Sequence, residues 1–169
     1  MRLAKSLVIA ALLLAPATTV AQQPDEKESA GVLELGVAGA WNLKNASGFG
    51  PTVAVEVTPV EHWLELEAGV TPLFSRRSTE WSADLLFKKP WSLSKKIEFM
   101  AGAGPEWIHT RESGASTNSV GAEAVVDFMF WRSRKHRFGW YLEPTYEYKF
   151  GSGHEHSVGV NGGILIAIP

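Results

Sequence analysis

The sequence predicts an all-β fold: eight antiparallel strands that meander up and down and close into a barrel, preceded by an export leader. Three observations carry that prediction. From Gly31 to the C-terminus, apolar residues recur with a period of two rather than 3.6, in eight successive stretches. The segments between the stretches are short and rich in Gly, Ser, Asn and Pro, as hairpin connections are. Eight hairpin-joined strands are also enough to close a cylinder and leave no unpaired edge.

The leader comes first. Arg2 and Lys5 precede the apolar run Leu7 to Ala15, which is too short to span a bilayer as a helix. Pro16 ends it, and the small residues Thr19 and Ala21 place a cleavage site between Ala21 and Gln22. This gives a signal peptide over 1–21, a polar, flexible lead-in over 22–30 and one barrel domain over 31–169. No later segment is long and apolar enough for a transmembrane helix.

The strands follow in order. Leu33, Leu35, Val37 and Trp41 share one face, with Glu34, Gly36, Ala38 and Ala40 on the other. Val53, Val55 and Val57 alternate with Thr52, Ala54, Glu56 and Thr58. After a tight turn at Pro59 to His62, Leu64, Leu66, Ala68 and Val70 oppose Glu65, Glu67, Gly69 and Thr71. Trp81, Ala83, Leu85 and Phe87 oppose Ser82, Asp84, Leu86 and Lys88, where Leu86 is an apolar misfit. Ile97, Phe99, Ala101, Ala103 and Trp107 oppose Glu98, Met100, Gly102, Gly104 and Glu106, with Met100 the misfit. Ala122, Ala124, Val126, Phe128 and Phe130 alternate with Gly121, Glu123, Val125, Asp127 and Met129. Phe138, Trp140, Leu142, Tyr146, Tyr148 and Phe150 alternate with Tyr141, Glu143, Thr145, Glu147 and Lys149. Val158, Val160, Ile164, Ile166 and Ile168 finish the series against Gly159, Asn161, Gly163 and Ala167. The remaining loops fall at 44–48, 75–78, 90–96, 111–118, 132–137 and 151–153.

Volume decides which face looks inward. The rings of the apolar face would overfill an eight-stranded interior, whereas the opposite face is rich in Gly and Ala with polar side chains between them. The apolar face therefore points out. Its aromatic residues gather at two heights: Trp41, Trp81, Trp107, Tyr146 and Tyr148 towards one rim, and Trp63, Trp91, Phe130, Phe138 and Trp140 towards the other. That pattern is a pair of interfacial girdles around a lipid-facing band. It predicts a transmembrane β-barrel in an outer membrane.

The leader, the eight amphipathic segments, the small inner residues and the aromatic-ended strand Trp140 to Tyr148 resemble the small eight-stranded outer-membrane barrels of the OmpA/OmpX type. The resemblance is architectural and rests on no diagnostic motif. It implies a porin-like barrel with a structural or surface role, outer-membrane lipid and the barrel-assembly machinery as partners, a monomeric state and no cofactor. Such barrels often end on an aromatic residue, and this chain ends Ile166-Ala-Ile-Pro169.

Chemistry concentrates on the inner face, where Glu34, Glu56, Glu65, Glu67, Asp84, Glu98, Glu123, Asp127, Glu143 and Glu147 face only Lys88 and Lys149. Buried acids must be paired, hydrated or protonated. The expectation is a plugged acidic-polar lumen, with arginines such as Arg76 and Arg111 reaching in from the rims; the alternative is a path for cations or protons. His109, His154 and His156 are expected in loops at one rim, where His154 and His156 lie on one side of an extended chain and are candidate metal ligands lacking a third. Ser157 beside His156 brings to mind barrels that deacylate lipid A with a serine and a histidine. Neighbouring strand residues point to opposite faces, however, which disfavours an enzyme. The basic stretches Lys88-Lys89, Lys95-Lys96 and Arg132 to Arg137 read as solvated turns at the end that carries the N-terminus.

Composition excludes several classes. Without cysteine there is no disulfide, thiolate metal site or cysteine nucleophile. With 16 basic and 18 acidic residues there is no basic field for nucleic acid. A soluble periplasmic ligand-binding barrel is the main alternative to the membrane barrel, with the lipid-modifying enzyme behind it.

Overall fold

The computed structural model describes residues 31–42, 47–132, 137–151 and 154–168. The leader, the lead-in and parts of three predicted loops lie outside the described residues. The strands are β1 (Gly31–Asn42), β2 (Ser47–Val60), β3 (Leu64–Phe74), β4 (Ser78–Ser94), β5 (Ile97–Glu112), β6 (Ala115–Trp131), β7 (Phe138–Phe150) and β8 (Glu155–Ile168). Each pairs antiparallel with its sequence neighbour, and β1 pairs with β8 from Gly31 opposite Ile168 to Asn42 opposite Ser157. The sheet closes into a barrel with every strand edge paired.

Gly31 and Ile168, the turns at 61–63 and 95–96, and the facing ends of β6 and β7 at Trp131 and Phe138 lie at one rim, here the lower. The turns at 75–77 and 113–114 and the facing ends of β7 and β8 at Phe150 and Glu155 lie at the upper rim. At 17, 16 and 17 residues, β4, β5 and β6 outrun the other strands, which have 11 to 14, and raise a taller wall on one side.

Several connections are shorter than the sequence predicts. The loop expected at 111–118 is almost all strand: Glu112 pairs with Ala115, and the reversal needs only Ser113 (φ 49°) and Gly114 (φ 87°). Two left-handed residues match the right-handed twist of the flanking strands, so the polar Thr117-Asn118-Ser119 stretch extends the ladder. The loop expected at 90–96 shrinks to Lys95-Lys96, and the turn expected at Pro59 to His62 moves to 61–63, where Trp63 N–H donates to the Val60 carbonyl (3.1 Å). Lys88 and Lys89 accordingly lie within β4 and not in a turn.

The facing is unambiguous. Val37, Val53, Val55, Val70, Leu85, Phe87 and Leu142 stand exposed on the outside, while Leu86, Met100, Ile108, Met129 and Leu165 are buried within. The two apolar misfits, Leu86 and Met100, are interior residues, each 1% exposed. Inner glycines leave room for the side chains of nearby strands in a narrow lumen: a Cβ at Gly36 would meet the Tyr141 hydroxyl at 2.5 Å, and one at Gly69 the Asp84 carboxylate at 2.5 Å.

Candidate functional site

The interior is built in three tiers. Lowest, Val32, Met100, Met129, Trp131, Tyr141 and Leu165 pack into an apolar cluster across the barrel. Trp131 was not among the aromatic residues assigned by sequence. It extends the inward parity of β6 by one step, and its indole Nε1 donates to Glu98 Oε2 at 2.9 Å.

Above the cluster lies Lys88, whose side chain is fully buried. Its Nζ donates to Glu67, to Glu143 Oε2 (2.7 Å) and to Asp127 Oδ2 (3.3 Å), and lies 3.7 Å from Glu56 Oε2. These partners come from β2, β3, β6 and β7, so one cation from β4 ties together most of the circumference. Asn161 Nδ2 on β8 supports Glu143 Oε1 at 3.0 Å. Glu34 joins the group from β1: one oxygen each of Glu34, Glu56 and Asp127 lie within 4.8 Å of one another. Such a grouping survives burial only if its charges are compensated or its carboxyls take up protons.

The upper tier is a narrow polar cavity that runs from Ala40 and Leu73 down to Glu34, Glu67 and Tyr141. Asp84, Glu123, Glu143 and Glu147 line it. Ser157 Oγ donates to Glu147 Oε2 at 2.8 Å, and Lys149 Nζ to Glu80 Oε2 at 2.6 Å, where Thr110 Oγ1 donates at 3.0 Å.

The structure places all ten sequence-assigned acids on the inner side, with Glu65 and Glu98 partly exposed near the lower rim. Two more belong with them. Glu106 is buried at 3% exposure, and Glu80 pairs with Lys149. Both have inward parity, the only signal that marks them in the sequence. The rim arginines do not take the expected role: Arg76 and Arg111 are exposed, and Lys88 does that work from within.

The histidines are also placed differently from expectation. His109 lies inside β5 and His156 inside β8, both on the outer face, and only His154 precedes a strand. His109 bonds Asn118 (2.8 Å) and stacks on Trp107, whereas His154 and His156 bond the hydroxyls of Tyr148 and Tyr146, each at 2.6 Å. With β5 and β8 on different sides of the barrel, the three imidazoles do not converge. Ser157 and His156 point to opposite faces, one bonded to Glu147 within and the other to Tyr146 outside, so no Ser–His pair forms.

On the outside, Trp41, Trp81, Trp107 and Tyr146 stand exposed towards the upper rim, with Tyr148 half-buried against His156. Trp63, Trp91, Phe138 and Trp140 stand exposed towards the lower rim, where Phe130 packs against Trp140. Lys89 lies 5.8 Å over the Trp91 ring. The result is a barrel that is polar and acidic inside, apolar outside and ringed by aromatic residues near both ends.

No protein-family model matches the chain, and no curated protein matches it in sequence. Solved structures do. Neisserial surface protein A superposes with a TM-score of 0.69 at 12% identity, covering 85% of this chain and 100% of that one. The N-terminal β-barrel domain of Pseudomonas aeruginosa OprF follows at 0.60 and 11%, covering 83% and 100%. Ail, the attachment invasion locus protein of Yersinia pestis, gives 0.51 and 11%, covering 82% and 99%. The chain has the fold of the small eight-stranded outer-membrane barrels. At these identities the likeness is one of architecture.

Proposed function

We propose that the protein is an integral barrel of a bacterial outer membrane, exported by a cleaved leader over 1–21, with a structural or surface role and no catalytic activity. The observation that carries this reading is the inverted polarity of the barrel. A water-soluble barrel buries its apolar face; this one exposes bands of Val, Leu and Phe between two aromatic rings and buries its carboxylates. In water such a band is an aggregation surface, and in a bilayer it is a matched solvent. The natural partners are lipid and the assembly machinery, with the barrel monomeric because β1–β8 pairing leaves no edge to share.

The lower apolar cluster and the Lys88 cluster close the lumen to bulk flow in this reading, so the upper cavity is a blind vestibule. A soluble barrel would turn its apolar face inward, whereas here that face is outside and the cavity lining is mostly polar. Membrane fractionation tests the proposal. The protein should resist extraction by carbonate and by urea, require detergent and show heat-modifiable migration on a denaturing gel. Release with periplasmic contents as a species soluble without detergent overturns it.

A further inference from the structure

Five carboxylates gather around the middle of the lumen, and Lys88 serves them unequally. Its two closest partners are Glu67 and Glu143, while Asp127 Oδ2 receives a longer hydrogen bond and Glu56 Oε2 only an ion contact at 3.7 Å. What remains is a trio. Glu34 Oε1, Glu56 Oε2 and Asp127 Oδ1 make no hydrogen bond, although the three residues are only 1%, 3% and 0% exposed. Buried carboxylate oxygens without donors are rare and call for a missing partner. One carboxylate oxygen each of Glu34, Glu56 and Asp127, drawn from β1, β2 and β6, lies within 4.8 Å of the others.

We propose that Glu34, Glu56 and Asp127 form an interior binding site for a hard divalent cation, of the Ca²⁺ class, reached through the upper cavity. Three anionic oxygens, with no imidazole or thiolate among them, select a hard cation over a softer transition metal. Three oxygens all within 4.8 Å of one another are close enough to share one hard cation. Ca²⁺ tolerates the irregular geometry of ligands drawn from three strands, whereas Mg²⁺ demands a near-ideal octahedron. Glu34 lines the narrow polar cavity above, which gives the site its approach from the upper side.

Lys88 is the obvious objection, since its ammonium contacts two of the three ligands. Its closer partners are Glu143 and Glu67, the latter opposite Glu56 in the β2–β3 ladder, so binding needs Lys88 to give up only its long contacts to Asp127 and Glu56. The five acids then divide between two cations, Lys88 holding one pair and the metal the other three. The inference depends on the barrel interior and not on where the barrel resides, so calorimetry and membrane fractionation fail independently.

The test uses the full mature chain, folded in detergent micelles and stripped with EDTA. Titration with CaCl₂ in an isothermal calorimeter should show one saturable site per chain, with Mg²⁺ at least tenfold weaker. Glu34→Gln and Asp127→Asn should each weaken Ca²⁺ binding at least tenfold, while Glu98→Gln, beside the lower rim, leaves it unchanged; circular dichroism checks folding of each variant. Should either site variant fail to fold, native mass spectrometry of the wild type decides, with one Ca²⁺ retained per chain expected. Absence of saturable uptake by the wild type at millimolar Ca²⁺ overturns the proposal and leaves the trio sharing protons. Uptake that persists unchanged in both site variants overturns it equally, by placing the ion elsewhere.

Discussion

Removing the charge of Lys88 is the sharpest perturbation this interior offers. Lys88→Met keeps most of the stem volume and deletes an ammonium that is fully buried and contacts Glu56, Glu67, Asp127 and Glu143. Losing one partner of a buried ion pair costs about 3–5 kcal/mol, because the other partner is left charged in a poor solvent. With four carboxylates depending on one ammonium, the upper half of that range applies, a large share of the roughly 5–15 kcal/mol that holds a domain folded. The assay is urea unfolding of the folded barrel in detergent or vesicles, followed by tryptophan fluorescence in chelator-containing buffer. Two controls isolate the cause. Lys96→Ala, at an exposed turn, should shift stability by less than about 0.5 kcal/mol. Lys88→Met combined with Glu67→Gln and Glu143→Gln should recover at least half of the loss, since replacing both sides of a buried pair is often close to neutral. If Lys88→Met costs less than about 1 kcal/mol at neutral pH, or if the combined variant is worse than the single one, Lys88 is not the compensating charge and the reasoning fails.

Three further outcomes are expected. Val126→Arg, on the outer face of β6 opposite Ala101, should impair insertion into lipid vesicles by about 2–4 kcal/mol; insertion equal to wild type would refute the lipid-facing assignment of that strand. Gly104→Ala should destabilise by about 1–3 kcal/mol in the same urea assay, because its Cβ would collide with the Leu85 carbonyl oxygen and force β4 and β5 apart; an unchanged midpoint would show that the ladder there yields freely. In planar bilayers the purified protein should give only small, cation-selective currents, since Met100, Met129, Trp131 and Leu165 close the lower end. A large, stable conductance abolished by replacing Glu67, Glu98 and Glu143 with Gln would mean that the lumen is an open path through those acids.

The strand number, order and facing were legible because each depends on local alternation: Leu33, Leu35 and Val37 separate from Glu34 and Gly36 within a few residues. The true hairpin ends were not, since Thr117-Asn118-Ser119 has loop composition and becomes strand only because Ile108, His109 and Thr110 stand opposite. Parity put Lys88 inside, but its neighbour Lys89 gave the pair the look of a basic turn. The sequence could not say which acids Lys88 meets. Glu143 is 55 residues away, and whether it converges on Lys88 depends on strand stagger accumulated around the closed barrel. For the same reason the orphaned trio on β1, β2 and β6 had no signature in residue spacing, and the histidine tracts, conspicuous in the sequence, are spread over the outer wall.

The dispersal of Lys88's partners over four other strands also bears on how the barrel is assembled. A chain that has formed only the β1–β4 hairpins brings Lys88 to Glu56 and Glu67 but not to Asp127 or Glu143, which are 39 and 55 residues further along. Until β6 and β7 arrive and β8 finds β1, the lumen is an open trough and its carboxylates remain hydrated. Dehydration and completion of the Lys88 network are thereby postponed to the same late event, the zipping of the seam from Gly31–Ile168 to Asn42–Ser157. Contacts so remote in sequence make that event slow and all-or-none, and a barrel stalled before it holds its charges in water and has no stable half-closed form in which to rest.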